Sequence, residues 1–182
     1  TINTGLIMID HKIPLLQNRL QQLQHNNDIV YLHVDIEKQK LFFIKNKAVI
    51  KTYPVSTSKF GTGNLENSSK TPLGVHQIIN KIGHNAPPGR IFRSREDTGE
   101  NYDVNMTEEN LILTRILRLD GLEPGINKGE TIDSYARYIY IHGTNREDLI
   151  GTPMSHGCIC MRNNDIIELF DSVEEGTLVI ID

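Results

Sequence analysis

The segment Ser155-His156-Gly157-Cys158 contains the residue types of a nucleophilic site. A cysteine attacks a carbonyl carbon only as the thiolate, so it needs a nearby base or positive charge that lowers its pKa. Histidine is the usual base, and two histidines lie near Cys158 in the sequence. The residue types therefore make Cys158 a candidate nucleophile for attack on a carbonyl carbon.

His142 is the better candidate for the base. It lies sixteen positions before Cys158 (158 minus 142), at the end of a predicted strand, and the loop between them can return it to the thiol. His156 is only two positions away, and in extended chain its side chain runs parallel to that of Cys158. We expect the carbonyl of Gly143 to bind the other ring nitrogen of His142 and to fix its tautomer.

Gly157 is expected to let the backbone bend sharply, because it has no Cβ. The bend would turn the amides of Gly157 and Cys158 towards the reacting carbonyl as an oxyanion hole. Donors of this kind typically lower the barrier by ~3 to 4 kcal/mol each. The backbone at this turn is therefore expected to matter as much as the base.

Zinc binding is the competing function, since two imidazoles and two thiolates are available from His142, His156, Cys158 and Cys160. The spacing disfavours it, because paired zinc cysteines usually have more than one residue between them. A structural role is the other alternative, with the cysteine as a small apolar residue and the histidine as a satisfied polar one. Residue types alone leave these interpretations open. We expect neither a metal nor another cofactor.

Composition limits the possible partners. The chain has 182 residues, a net charge of -4, 38% hydrophobic residues and 23% charged residues, with Lys and Arg scattered. This predicts one compact domain that does not bind nucleic acid. No apolar run approaches the ~20 residues of a membrane-spanning helix, so no membrane span is expected.

The elements that would position these residues are mostly strands, because apolar residues alternate with polar ones in several short segments. Predicted strands cover residues 30–36, 41–44, 48–55, 74–79, 137–142 and 178–181. Residues 56–72 are predicted to be a loop, and Asn163, Asn164 and Asp165 are good caps for a helix that follows. Residues 83–136, rich in charges and glycine, are predicted to be an elaborated capping loop region around an apolar segment, residues 111–119. The sequence predicts a mainly β protein with a few helices.

Two segments resemble a known family, namely Ile141-His142-Gly143-Thr144 and Ser155-His156-Gly157-Cys158-Ile159. Together they are similar to the signature of L,D-transpeptidase catalytic (YkuD) domains. Further similarity is found in Leu41-Phe42-Phe43, Tyr53-Pro54-Val55-Ser56-Thr57 and Lys70-Thr71-Pro72-Leu73-Gly74. The resemblance implies a YkuD-type β-sandwich-like domain over residues 29–182, which follows an N-terminal helical segment, residues 1–28.

The resemblance also implies a cysteine acyl transferase that acts on peptidoglycan stem peptides and is acylated by carbapenems. Cys158 would be the nucleophile and His142 its base, while His156 and Ser155 would shape the site, with Ser155 anchoring the turn. The family's usual target is the bond between the L-centre of meso-diaminopimelate and a terminal D-alanine. Attack gives a thioester, which an amine converts to a 3,3 cross-link and water converts to a tripeptide.

The chain departs from the family where an arginine usually follows the nucleophile by two residues, since Cys160 stands there. In an extended segment Arg162 shares a face with Cys158, so we expect Arg162 to supply part of the missing positive charge. The substrate carboxylate calls for an arginine partner, although each candidate has a solvated or ion-paired role as its alternative. The candidates for contact with substrate, unranked, are Arg115, Arg118, Arg137 and Tyr140.

The favoured outcome is hydrolysis by an L,D-carboxypeptidase in cytoplasmic muropeptide recycling. The printed chain shows no export signal, and two free thiols one residue apart suit a reducing compartment. The close alternative is an L,D-transpeptidase that forms 3,3 cross-links or attaches proteins to the wall, in the periplasm if a leader precedes Thr1. An alternative of another class is a non-catalytic module that binds the cell wall or zinc.

Overall fold

The computed structural model describes residues 29–182, so the predicted N-terminal helical segment, residues 1–28, lies outside the described residues. The described part forms ten strands and one α-helix, α1 (Asn163–Ser172). The strands are β1 (Val30–Asp35), β2 (Lys40–Lys45), β3 (Ala48–Pro54), β4 (Gly74–Ile82), β5 (Arg90–Arg93), β6 (Glu96–Asn101), β7 (Ile112–Gly121), β8 (Tyr140–Gly143), β9 (Ile159–Met161) and β10 (Leu178–Ile181).

All ten strands belong to one mixed sheet in the order β3-β2-β1-β10-β4-β7-β5-β6, with β8 and β9 off this path. Strand β7 is the centre of the sheet because it pairs with β4, β5 and β8. The pairs β1–β10 and β8–β9 are parallel, and the other pairs are antiparallel. The short strands β8 and β9 therefore reach the rest of the sheet through β7.

Helix α1 packs its apolar face against β7 and β8. Ile166, Leu169 and Phe170 are buried in the main core, together with Ile141 of β8 and Ile159 of β9. Both strand residues are fully buried, and each is next in sequence to a candidate catalytic residue. The core thus fixes the backbone from which the candidate nucleophile and base project.

The predicted mainly β fold is confirmed, and most predicted strands have an observed counterpart within two or three residues. Strand β8 is shorter than predicted, because Arg137 and Tyr138 lie in a turn in which Tyr138 has a left-handed backbone, with φ 55°. None of the helices within residues 29–182 has the length and apolar character needed to cross a bilayer.

The interpretation of residues 83–136 as a loop region is wrong for the three strands that it contains. It contains β5, β6 and the ten-residue strand β7, which includes most of the apolar segment 111–119. Strand β6, which contains Glu96, Asp97 and Glu100, is an exposed strand at the end of the sheet, where polar side chains face water. This hairpin of β5 and β6 contributes to the site described next.

Candidate active site

The register between β8 and β9 decides which side chains meet. The two strands are parallel, with Ile141 opposite Ile159 and His142 opposite Cys160. Continued back by one residue, the same register places Cys158 beside Tyr140. Side chains on one face of a sheet alternate along each strand, so His142 meets Cys160 while Cys158 meets Tyr140.

The Cys158 thiol is held by the backbone of β8 and of the turn before it. The Tyr140 amide donates a hydrogen bond to Cys158 Sγ at 3.4 Å, and the thiol donates to the Tyr138 carbonyl at 3.5 Å. Burial raises the pKa of Cys158 to about 11, although the Tyr140 amide and the positive charge of Arg137 act in the opposite direction. The free protein therefore holds Cys158 as a thiol at neutral pH.

His142 is buried and neutral. Its Nδ1 lies 2.6 Å from the Gly143 carbonyl, which only accepts hydrogen bonds, so Nδ1 carries the proton. The expected contact of His142 with Gly143 is thereby confirmed. Burial lowers the pKa of His142 to about 4, against the effect of the Gly143 carbonyl. The Nε2 atom is left with a lone pair that can accept a proton.

The hydrogen-bond partner of that lone pair, among residues 29–182, is Cys160. Cys160 Sγ lies 3.8 Å from His142 Nε2, and with the proton of the ring on Nδ1 the thiol must be the donor. The expected direct pairing of His142 with Cys158 is not formed in this structure, because the strand register brings Cys160 opposite the histidine. The role of His142 as the base of Cys158 remains a prediction.

Ser155 ties together the turn that precedes the nucleophile. Its hydroxyl donates to the Cys158 carbonyl at 2.6 Å and accepts from the Gly157 amide at 3.2 Å. Gly157 has φ 128°, and a Cβ there would lie 3.3 Å from both the Lys70 carbonyl oxygen and Ile139 Cδ1. The residue must therefore be glycine to keep this backbone without strain. The anchoring role expected of Ser155 agrees with these contacts.

The predicted oxyanion hole needs a correction at Gly157, since its amide already donates to Ser155. The Cys158 amide, in contrast, has no hydrogen-bond partner within the described part of the chain. One of the two predicted amide donors is thus open to a developing oxyanion, and the other serves to shape the turn.

The loop formed by residues 56–72 holds this turn from the opposite side. Ser56 exchanges two backbone hydrogen bonds with Cys160, at 2.8 and 2.9 Å, and the Thr57 carbonyl accepts from the Ser155 amide at 2.9 Å. Thr71 Oγ1 donates to the Gly157 carbonyl at 3.0 Å. Both ends of the loop are thus hydrogen-bonded to the segment that contains Cys158.

Arg137 is the arginine that acts on the nucleophile. Its charge opposes the rise in the pKa of Cys158, and it is the only arginine among the described residues with such an effect. Its guanidinium donates to the carbonyls of Lys70 at 2.6 Å and Gly63 at 3.1 Å. Arg137 therefore joins the loop of residues 56–72 to the wall of the site.

Arg162 does not supply the charge that the sequence suggested. Arg162 is exposed as the N-cap of α1. Its charge acts on the Asp165 carboxyl, where it opposes the rise in pKa that burial causes. The paired strand β9 ends at Met161, and Arg162 is not among the charges that act on the Cys158 thiol. The positive charge beside Cys158 belongs to Arg137 instead.

Arg115 and Arg118 are both buried, but in different surroundings. Arg115 donates to the carbonyls of Ala86 and Thr114 and lies against the ring of Phe170 in α1. These contacts give it a structural role and do not bring it to the thiol.

Arg118 stacks on the ring of Tyr135 at 3.5 Å and lies 5.3 Å from the ring centroid of Tyr138. The carbonyl of Tyr138 accepts the hydrogen bond of the Cys158 thiol. Of the two buried arginines, Arg118 is therefore the one linked to the site. Tyr140 is linked as well, through its amide and through its hydroxyl, which accepts from Arg95 at 3.2 Å.

No motif or spacing in the sequence selects Arg95 or Tyr138 as a site residue. Arg95 lies on the turn between β5 and β6, and its guanidinium is 4.9 Å from the Tyr138 ring centroid. The turn belongs to the region interpreted as a loop, and only tertiary structure brings it to the candidate nucleophile. The two adjacent positive-φ residues, Ser94 and Arg95, lie in the tight turn of this hairpin.

A surface cavity of about 280 Å³ adjoins the Tyr138 side of the site. Its lining includes His156 and a group of charged side chains, Glu66, Glu130, Asp133 and Arg137. His156 is exposed, and its ring is tilted against that of Phe60 with the centroids 5.6 Å apart. His156 thus lies beside this cavity, and its site-shaping role stays a prediction.

The arrangement does not assemble the zinc site considered from the sequence. Within residues 29–182, no three side chains of His, Cys, Asp or Glu are grouped as a metal ion requires. His142 and Cys160 contact each other, while the ring of His156 lies against Phe60.

Comparison with known families gives a match over nearly all of the described chain. A family model described as the YkuD L,D-transpeptidase catalytic domain matches residues 29–181. The chain is 51% identical to the YkuD protein of Bacillus licheniformis over 148 residues, which are 81% of this chain and 62% of that protein. It is 28% identical to the YkuD protein of Bacillus subtilis over 151 residues, or 83% and 65%. The chain thus spans less than two thirds of the length of either relative.

Solved structures have the same fold. An L,D-transpeptidase from Mycobacterium smegmatis is similar with a TM-score of 0.52 at 18% identity, covering 85% of this chain and 59% of that chain. An LD transpeptidase solved in complex with imipenem gives 0.53 at 19% identity, covering 85% and 59%. At these identities the similarity is one of fold.

Proposed function

Since the chain belongs to the YkuD family of L,D-transpeptidase catalytic domains, we propose that it cleaves an L,D peptide bond of peptidoglycan through a thioester on Cys158. The donor is a tetrapeptide stem, and the bond joins the L-centre of meso-diaminopimelate to the terminal D-alanine. The observation that supports this most is the Cys158 thiol at a partly open site, with its own amide free to bind an oxyanion.

His142 takes the thiol proton in the first step. Nε2 is the basic atom, because Nδ1–H is held by the Gly143 carbonyl. The thiol must first turn away from the Tyr138 carbonyl to reach Nε2, and the substrate occupies the space that it leaves. Sulfur then bonds to the carbonyl carbon of the substrate, and the proton passes from His142 to the leaving nitrogen of D-alanine.

The acceptor decides between two outcomes. Water gives a tripeptide and makes the protein an L,D-carboxypeptidase, which is the first candidate. Two unpaired thiols, at Cys158 and Cys160, support action in a reducing compartment such as the cytoplasm. An amine gives a 3,3 cross-link, and the acidic side chains of the cavity beside Tyr138 support this second candidate, because they attract an ammonium group.

Incubation of the protein with a disaccharide tetrapeptide, followed by mass spectrometry, tests the proposal. Loss of D-alanine alone identifies hydrolysis, and a joined dimer identifies transfer. Cys158→Ala is the control and must abolish either product. The proposal is rejected if the wild type leaves the tetrapeptide unchanged, or if Cys158→Ala is as active as the wild type.

A further inference from the structure

Arg95 lies beside Tyr138 and Tyr140 at the candidate active site, although it belongs to a hairpin that is distant from Cys158 in the sequence. It occupies the turn between β5 and β6, where both Ser94 and Arg95 have positive φ, 48° and 69°. A two-residue hairpin turn of this kind has positive φ at both central residues, so the backbone here is that of the hairpin itself. The hairpin brings the Arg95 side chain to Tyr138 and Tyr140.

Two contacts join Arg95 to the residues that hold the thiol. Arg95 Nη1 donates to the Tyr140 hydroxyl at 3.2 Å, and the guanidinium lies 4.9 Å from the Tyr138 ring centroid. Tyr138 and Tyr140 are also the residues whose backbone groups hydrogen-bond to Cys158 Sγ. Arg95 therefore contacts the side chains of the same two tyrosines whose backbone groups hold the thiol.

Most hydrogen-bond donors of Arg95 are free. A guanidinium has five N–H groups, and within residues 29–182 the one hydrogen bond from the Arg95 side chain is that to Tyr140. The neighbouring arginines of the same hairpin are paired with carboxylates, Arg90 with Asp97 and Arg93 with Glu108. Arg95 has no such carboxylate partner in the described part of the chain.

We propose that Arg95 binds the terminal carboxylate of the tetrapeptide donor, which rests on the function proposed above. This carboxylate belongs to the D-alanine that leaves, so it lies only a few bonds from the carbonyl that the sulfur attacks. A planar guanidinium pairs with a carboxylate through two parallel hydrogen bonds, which orients as well as binds it. Arg118 is stacked on Tyr135 and Arg137 is bound to backbone carbonyls, so neither is as free to do this.

The test compares two donors, a tetrapeptide that ends in a carboxylate and the same peptide that ends in a carboxamide. Arg95→Met will raise KM for the carboxylate donor at least about tenfold, since hydrogen bonds to charged groups typically contribute that much. KM for the carboxamide donor will change less than about twofold, and Arg95→Lys will restore part of the discrimination. Arg93→Met is the matched control on the same hairpin and will leave both donors unaffected.

Equal losses for both donors in Arg95→Met, or no loss for either, would overturn the proposal. Calorimetric binding of the two peptides to Cys158→Ala, with and without Arg95→Met, gives the same comparison without turnover. Failure of the proposed function has a different result, because the wild type would then neither convert nor bind the carboxylate donor.

Discussion

Raising the pH from 7 to 10 will increase the rate at which iodoacetamide alkylates Cys158 by about a thousandfold. The reason is that burial raises the pKa of this thiol to about 11, from an ordinary value of 9.0. Below the pKa, each pH unit then changes the thiolate fraction about tenfold. The alkylation rate will therefore not reach a plateau until the pH exceeds the ordinary pKa range of cysteine thiols.

The absolute rate at pH 7 follows from the same values. A thiol with a pKa of about 11 is thiolate in about one molecule in ten thousand, against about one in a hundred for a thiol at 9.0. The more basic thiolate is the better nucleophile, which recovers roughly tenfold of this hundredfold difference. We therefore expect Cys158 to react about tenfold more slowly than free cysteine.

The assay is intact-protein mass spectrometry during alkylation at several pH values, with Cys158→Ala to measure any reaction of Cys160. Cys160 is buried, and burial also raises the pKa of its thiol, so the control will react more slowly still. A rate that reaches its plateau below pH 8 would refute the reasoning. It would mean that Cys158 and His142 exist as an ion pair in the free protein.

Three further results are expected. The free energy of unfolding will fall between pH 7 and pH 5, because burial lowers the pKa of His76 and His142 to about 4 and each protonates more readily in the unfolded chain. Each histidine will account for a loss of about 2 kcal/mol at pH 5, measured by urea denaturation. His76→Gln will remove the share of this loss that is due to His76. Cys160→Ala removes the thiol that occupies His142 Nε2 and leaves this atom open to the Cys158 thiol, so kcat will equal or exceed that of the wild type; a clear loss of kcat in a folded Cys160→Ala protein would contradict the assignment of Nε2 as the base for Cys158. Gly157→Ala will destabilise the protein by about 1 to 3 kcal/mol in the same urea assay, because its φ of 128° strains any residue with a Cβ; an unchanged midpoint would contradict the reading of this turn.

The strands that alternate apolar and polar residues were predictable from the sequence, as was the turn that contains Cys158. Residues 178–181 were predictable for another reason, since they form a short apolar run that begins two residues after Gly176 and coincides with β10. Strand β6 was not predictable, because Glu96–Asn101 is an exposed edge strand with no apolar face. Its pairing with β5 is specified by the turn and by partners far along the chain.

The candidate site shows the same division between local and tertiary information. The types and spacing of His142 and Cys158 indicated their chemistry, but no spacing rule gives the register of two parallel strands. That register pairs His142 with Cys160. Arg95 was missed for a related reason, since the hairpin that brings it to Tyr138 and Tyr140 is defined only by the folded sheet.

Acylation of Cys158 is the central claim, and imipenem tests it most directly because its adduct can be mapped. After incubation, the intact mass of the protein will rise by one imipenem-derived adduct. Trypsin will release residues 147–162, the peptide that contains both cysteines, and fragmentation will place the adduct on Cys158. Cys158→Ala will remain unmodified. An unmodified wild type, or an adduct on Cys160, would contradict the assignment of Cys158 as the nucleophile.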